Sequence, residues 1–144
     1  AKVFDLTTNS RISTYTGHDG GVYSVIFDET SEHVLSACSK GKVLYWRTES
    51  GQTVKKLANQ SESIYHIAAL DSAERFIFSG AMASVEMIDL QSGKTGKEFT
   101  SKWNNLSLAV SDDNQRLLTG DSQGGLRLVD IVSGELLTGF TAAP

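Results

Sequence analysis

Three short segments of this chain end alike, and a fourth shares their frame: Phe4-Asp5, Ile88-Asp89 and Val129-Asp130, with Trp46-Arg47 as the fourth. Their closing residues are separated by 42, 42 and 41 positions. A fixed period of that length means one supersecondary unit per repeat. Such a unit cannot bury both of its own faces, so the chain must fold as an array in which neighbours cover one another. A second signal keeps the same beat. Ser-Gly recurs at 50–51, 92–93 and 133–134, and Thr8-Asn9 holds the corresponding place before them. Gly, and less easily Asn, accepts the positive φ that a tight turn there requires.

Within each period, alternation and turn residues mark four strands. In the first complete unit these are Val22 to Phe27, His33 to Cys38, Lys42 to Trp46 and Thr53 to Leu57. The second unit reads Tyr65 to Leu70, Arg75 to Gly80, Val85 to Asp89 and Thr95 to Phe99. The third reads Leu106 to Val110, Arg116 to Gly120, Leu126 to Asp130 and Leu136 to Phe140. Ahead of them, Lys2 to Leu6 and Arg11 to Thr16 supply only the third and outer strands of a unit. Four strands on a period near 42 are the mark of a β-propeller blade. The expected fold class is therefore all-β, with four-stranded antiparallel blades. The boundaries are 1–16 for the half-blade, then 17–59, 60–101 and 102–144 for the blades.

Three motifs carry a family resemblance: Gly17-His18 before an inner strand, the turn Ser111-Asp112-Asp113-Asn114, and Trp46-Arg47 at the close of a third strand. On these the chain resembles the WD-repeat β-propellers over essentially its whole length. In the best-formed repeats of that family, a Trp, a strand-two Ser or Thr, the Gly-His histidine and a hairpin Asp are hydrogen-bonded together. The resemblance implies the same of His18, Ser36 and Trp46, with Lys40 standing where the Asp would be. In the second and third units the histidine frame falls on Gln60 and Ser101, and the hairpin frame on Met82 and Gln123. No unit carries the complete set. The expectation is of blades held by apolar packing and ladder hydrogen bonds.

About three and a half blades fit within 144 residues, whereas closed propellers usually take about 4 to 8. The expected molecule is an incomplete ring, a segment of a larger propeller. The alternative is a half-propeller that associates with itself or with a companion chain. Position 1 is Ala rather than Met, which fits the first reading, and no apolar leader marks a targeting segment.

Composition removes several functions. Net charge is −4, so no broad basic footprint for nucleic acid exists. Association with a ribonucleoprotein through protein contacts stays open. No apolar run approaches the roughly 18 residues of a membrane helix. The one cysteine, Cys38, excludes an intrachain disulfide and fits a reducing intracellular compartment, cytoplasm or nucleus. Three dispersed histidines lack both the spacing of zinc sites and any nucleophile elbow. Gly20-Gly21 and Gly124-Gly125 precede strands, not the helix that a phosphate loop needs. No catalytic residue, metal or cofactor is expected, and an enzymatic or cofactor-binding propeller ranks last.

In WD-repeat proteins the loops entering inner strands lie on the same face as the second hairpins. The resemblance thus groups Asp19, Glu62, Trp103 and Asn104 with Lys40, Lys42, Met82, Asp121 and Gln123 as candidate partner-binding residues. Trp103 is of the type enriched at interaction hot spots, and packing over a neighbouring blade is its other reading. Lys55-Lys56 and the pair Lys94 and Lys97 fall near outer strands as solvated edges. The expected role is a rigid, non-catalytic scaffold that binds other proteins.

Overall fold

The computed structural model describes residues 1–71, 74–93 and 95–141, without side chains over 95–98. The expectations for Lys94 and the Lys97 side chain lie outside the described residues. Fourteen strands are present among those described. They are β1 (Lys2–Asp5), β2 (Ser10–Thr14), β3 (Val22–Phe27), β4 (His33–Cys38), β5 (Lys42–Arg47), β6 (Thr53–Asn59) and β7 (Ile64–Leu70). The rest are β8 (Arg75–Gly80), β9 (Ser84–Asp89), β10 (Thr95–Thr100), β11 (Asn105–Val110), β12 (Arg116–Asp121), β13 (Gly125–Asp130) and β14 (Leu136–Thr141). They form one two-stranded sheet, β1-β2, and three antiparallel four-stranded sheets in chain order, β3 to β6, β7 to β10 and β11 to β14. The array is all-β and unclosed. Among the described residues no helix is long and apolar enough to cross a membrane.

Successive sheets pack face to face, and the register of each strand decides which side chains meet. Leu35, Val43, Tyr45 and Leu57 of the first full blade pack against Ile64, Ile67, Phe76 and Phe78 of the second. The second blade turns Ile77, Val85, Met87 and Phe99 toward Leu108, Leu117 and Val129 of the third. Val3 and Tyr15 of the half-blade cover Val34, Leu44 and Trp46. Covering both faces explains why β4 and β5 read as continuous apolar runs rather than alternating ones. Each buried Leu, Ile or Phe contributes about 1.5–3 kcal/mol.

The ends of the array lack this cover. Val25 of β3 is 54% exposed, whereas its register equivalents Ile67 and Leu108 are 1% and 5% exposed. At the other end Leu118, Leu126 and Phe140 are exposed. They stand where Ile77, Val85 and Phe99 are buried one blade earlier.

The turns follow the repeat. Gly51, Gly93 and Gly134 have φ of 67°, 67° and 77°, and Asn9 in the same frame has 53°. Gly80 answers a different need, close approach. A Cβ there would lie 1.9 Å from the Ser63 carbonyl oxygen.

Candidate functional site

Two sets of loops meet at one end of the blades: those that enter inner strands and the hairpins between second and third strands. Backbone hydrogen bonds knit them within blades, from Ser39 N to Gly21 O (2.8 Å), Ala81 N to Ser63 O (2.8 Å) and Ser122 N to Asn104 O (3.0 Å). Gln60 N to Gly41 O (2.7 Å) and Ser101 N to Ala83 O (2.6 Å) prolong the ladders of β5 with β6 and of β9 with β10, and Asn105 N crosses to Met82 O (3.2 Å) of the preceding blade. The Ser63 hydroxyl also donates to Ser39 O across the first joint. This loop rim is held by its own main chain, so side chains project from a preset frame.

On that rim the structure places Lys40, Glu62, Trp103, Asn104 and Gln123 as exposed residues. Asp19 is exposed too, and its carboxylate accepts from Lys42 Nζ at 2.8 Å. That contact, led by the hydrogen bond, holds the Asp19 carboxyl below its ordinary value. Trp103 is 41% exposed, with the Lys102 ammonium 5.0 Å from its ring centroid. It walls a cleft of about 180 Å³ together with Gln123, Arg127 and Phe140. Two of the grouped residues turn elsewhere. Met82 is half-buried and packs on the core between the first and second full blades. Asp121 Oδ1 accepts from Gln123 N (2.9 Å) and Gly125 N (2.8 Å), fixing its own hairpin.

Beneath the rim the structure brings His18, Ser36 and Trp46 together. Trp46 Nε1 donates to Ser36 Oγ at 2.9 Å, and His18 Nε2 lies 2.6 Å from the same oxygen. Tyr15 stacks on Trp46 with ring centroids 4.5 Å apart and planes 2° from parallel. His18 Nδ1 is buried without a partner. At the hairpin position where the resemblance implies an Asp, the sequence has Lys40, and a cation offers no acceptor to a ring N–H. Burial, then the N-terminal ammonium, pushes the His18 pKa down, and Lys42 adds to the effect against the opposing pull of Asp19.

The other blades fill the same place differently. Phe78 and Ile88 occupy the positions of Ser36 and Trp46 in the second, and Thr119 and Val129 in the third. Gln60, at the histidine frame, donates instead to Glu86 Oε2 at 2.9 Å.

Sequence reasoning missed a second polar cluster, at the opposite end of the first full blade. Asp28 Oδ2 accepts from His33 Nδ1 (3.0 Å) and from the Tyr45 hydroxyl (3.1 Å), while Oδ1 accepts from Thr30 (3.0 Å). The His33 ring stacks on Tyr45. Burial pushes Asp28 upward, but the bonds from the His33 main chain and ring, Thr30 and Tyr45 outweigh it and leave its pKa low. Burial, with the Asp28 bond and charge behind it, pushes Tyr45 up to about 12. The only sequence signal was an Asp and a His five residues apart at the two ends of one hairpin. The cluster orders the turn. Lys55 also does more than solvate an edge, since its ammonium donates to Leu90 O of the next blade at 2.9 Å.

An unclosed array of four-stranded antiparallel blades, with loops knitted at one rim, defines a propeller-type repeat protein. The family model for the WD domain, G-beta repeat, matches residues 9–47. That stretch runs from the outer strand of one sheet through three strands of the next, and it contains His18, Ser36 and Trp46. Over that stretch the chain matches a WD repeat, in agreement with the resemblance to the WD-repeat family carried by its motifs. It is similar to Autophagy-related protein 16 of Arabidopsis thaliana, 24% identical over 140 residues, covering 95% of this chain and 27% of that protein. It is also similar to the U5 small nuclear ribonucleoprotein 40 kDa protein of Dictyostelium discoideum, 23% identical over 124 residues, covering 85% of this chain and 35% of that protein. The chain thus spans about a quarter to a third of the length of these curated relatives.

Proposed function

We propose that this chain is a non-catalytic protein-interaction scaffold, a segment of a larger WD-repeat propeller that binds other proteins through its loop rim. The observation that carries this reading is the knitted rim itself. Lys40, Glu62, Trp103, Asn104 and Gln123 project from loops already fixed by main-chain hydrogen bonds. Binding there sacrifices little ordering entropy, and Trp103 supplies an aromatic anchor of the kind that dominates interface energetics. An intracellular setting belongs to the same reading, supported by the lone buried thiol of Cys38. One relative is named as a ribonucleoprotein component, which favours assemblies of that kind, reached through protein contacts rather than through RNA.

The test is affinity capture from cell extract with two variant sets compared against the parent chain. Lys40→Glu, Glu62→Lys and Trp103→Ala together alter the loop rim, while Glu49→Lys and Asp112→Lys alter exposed positions at the opposite end. The first set is expected to lose the captured partners and the second to keep them. Equal capture by both sets refutes the assignment of the rim.

The exposed apolar faces at both ends of the array favour a second reading, in which a companion chain or a second copy covers them. Size-exclusion chromatography with light scattering discriminates, since a well-behaved monomer removes self-assembly.

A further inference from the structure

The two joints between full blades are closed differently. At the first, Gln60 Nε2 donates to Glu86 Oε2 (2.9 Å), and that bond bridges the blades beneath the rim. One period on, the same two positions are Ser101 and Arg127. The Ser101 hydroxyl donates to Trp103 O and accepts from Asn105 Nδ2, so it does not reach across to the guanidinium. Arg127 is left with Asp121 Oδ2 of its own blade, 3.9 Å away.

Where the bridge is missing, a groove of about 450 Å³ opens between the second and third blades, within the range of about 300–1,000 Å³ typical of ligand sites. Buried Phe99 and Val129 form its floor, Lys102 and Arg127 supply its charge, and Leu136 lines its open side. Both walls are blades of this chain, so the groove is internal to the array. Three of these residues depart from their counterparts at the first joint. Lys102 stands for Ser61, Arg127 for Glu86 and Leu136 for Thr95. Leu136 pairs with Val129 as Thr95 pairs with Ile88 and Thr53 with Trp46. An aliphatic side chain, 60% exposed, thus lies in the open where the other outer strands carry Thr. No carboxylate occurs among the described residues that line the groove, in a chain whose net charge is −4.

The spacing of these groups is that of an extended chain. Arg127 and Val129 are alternate residues of β13 and face the groove together, about 6.6 Å apart along the strand. Alternate side chains of an extended ligand repeat at the same distance.

We propose that this groove binds an extended acidic peptide that carries a carboxylate and an aliphatic side chain two residues apart. It is a second surface beyond the loop rim, and adjoins it at Arg127, which also walls the Trp103 cleft. The carboxylate takes two parallel N–H bonds from the Arg127 guanidinium, and Lys102 adds a second cation. The aliphatic side chain covers Val129 and Leu136. An inorganic anion would meet the two cations but leave Leu136 uncovered.

The probe is the capped peptide Ac-Ser-Leu-Ser-Glu-Ser-Leu-Ser-amide, in which a Leu lies two residues from the Glu on either side, so both chain directions are covered. It is titrated into the isotope-labelled full chain and followed by NMR at the amides of Lys102, Arg127, Val129 and Leu136 and at Arg127 Nε–H. Saturable shifts are expected there, and they weaken with added salt because partly exposed charges are screened. A peptide with Gln in place of Glu is expected to bind about tenfold or more weakly, and Arg127→Gln to cause a similar loss. Leu136→Thr restores the residue of the other outer strands and is expected to weaken binding by about threefold or more. Lys56→Gln removes a cation from the outer strand of the first full blade and is expected to change nothing. Equal affinity for the Glu and Gln peptides overturns the proposal, as do shifts gathered on the loop hairpins instead of the groove. So does the lack of any saturable shift up to about 5 mM peptide, or full binding by both Arg127→Gln and Leu136→Thr. The loop rim is read separately in the capture experiment, whose altered residues do not line this groove.

Discussion

Ser36 and Ser79 make a matched pair for testing how much the polar lock of the first blade contributes. Both lie on second strands and both are fully buried. Ser36 Oγ serves Trp46 Nε1 and His18 Nε2, whereas Ser79 Oγ has no partner. Ser36→Ala leaves the indole N–H of a residue that is 1% exposed without an acceptor, which costs about 1–3 kcal/mol. It also frees His18 Nε2 on a ring whose Nδ1 is already unpartnered, adding about 1 kcal/mol. The expected loss is about 2–4 kcal/mol. With a urea slope of about 2 kcal/mol/M, the midpoint falls by about 1–2 M. Ser79→Ala removes a hydroxyl that bonds to nothing, at a position where the preceding blade carries Ala37. It is expected to change stability by less than about 0.5 kcal/mol, or to increase it. Urea unfolding followed by tryptophan fluorescence and circular dichroism reads both. Equal destabilisation by the two substitutions refutes the reasoning, because hydrogen bonding would then not distinguish the sites.

Lys40→Asp supplies an acceptor for His18 Nδ1 and is expected to stabilise the chain by about 1–2 kcal/mol, with the His18 pKa rising in a histidine NMR titration. Burial lowers the pKa of both His18 and His66 below 6.5 in the folded state. The unfolded chain therefore binds protons first, and stability is expected to hold above pH 6.5 and to fall as pH drops below it. Melting temperature measured from pH 8 to 5 checks the sign, and a rise on acidification contradicts it. Gly80→Ala drives a methyl group into the Ser63 carbonyl and is expected to cost about 1–3 kcal/mol. Equal melting temperatures for the two chains would mean that the backbones do not approach so closely.

The repeat was legible because it is written in turn residues and apolar spacing. All fourteen strands follow from it, with differences of one or two residues at their ends. Arg11 to Thr16 read as one strand, whereas β2 is Ser10–Thr14, with Tyr15 still exchanging main-chain bonds with Ala1 beyond its end. Val25 reads as an ordinary inner-strand residue, and only the packing of neighbours reveals that Ile67 and Leu108 are covered while it is open. The inward turn of Met82 and the commitment of Asp121 to its own hairpin were not legible either. Both depend on side-chain direction, which loop sequence does not encode. The Asp28, His33 and Tyr45 cluster escaped notice for a related reason. Its members come from the turn after β3, from β4 and from β5, and only the folded register brings them within hydrogen-bond reach.

The central claim is that each blade is covered by the next, leaving the first and last faces open. Residue-resolved amide hydrogen exchange of the full chain, measured by NMR, tests it most directly. Protection is expected to peak in β8 and β9 of the middle blade, to fall through β4 and β12, and to be weakest at the free edges of β1 and β14. Protection at β1 and β14 equal to that of β8 would contradict it.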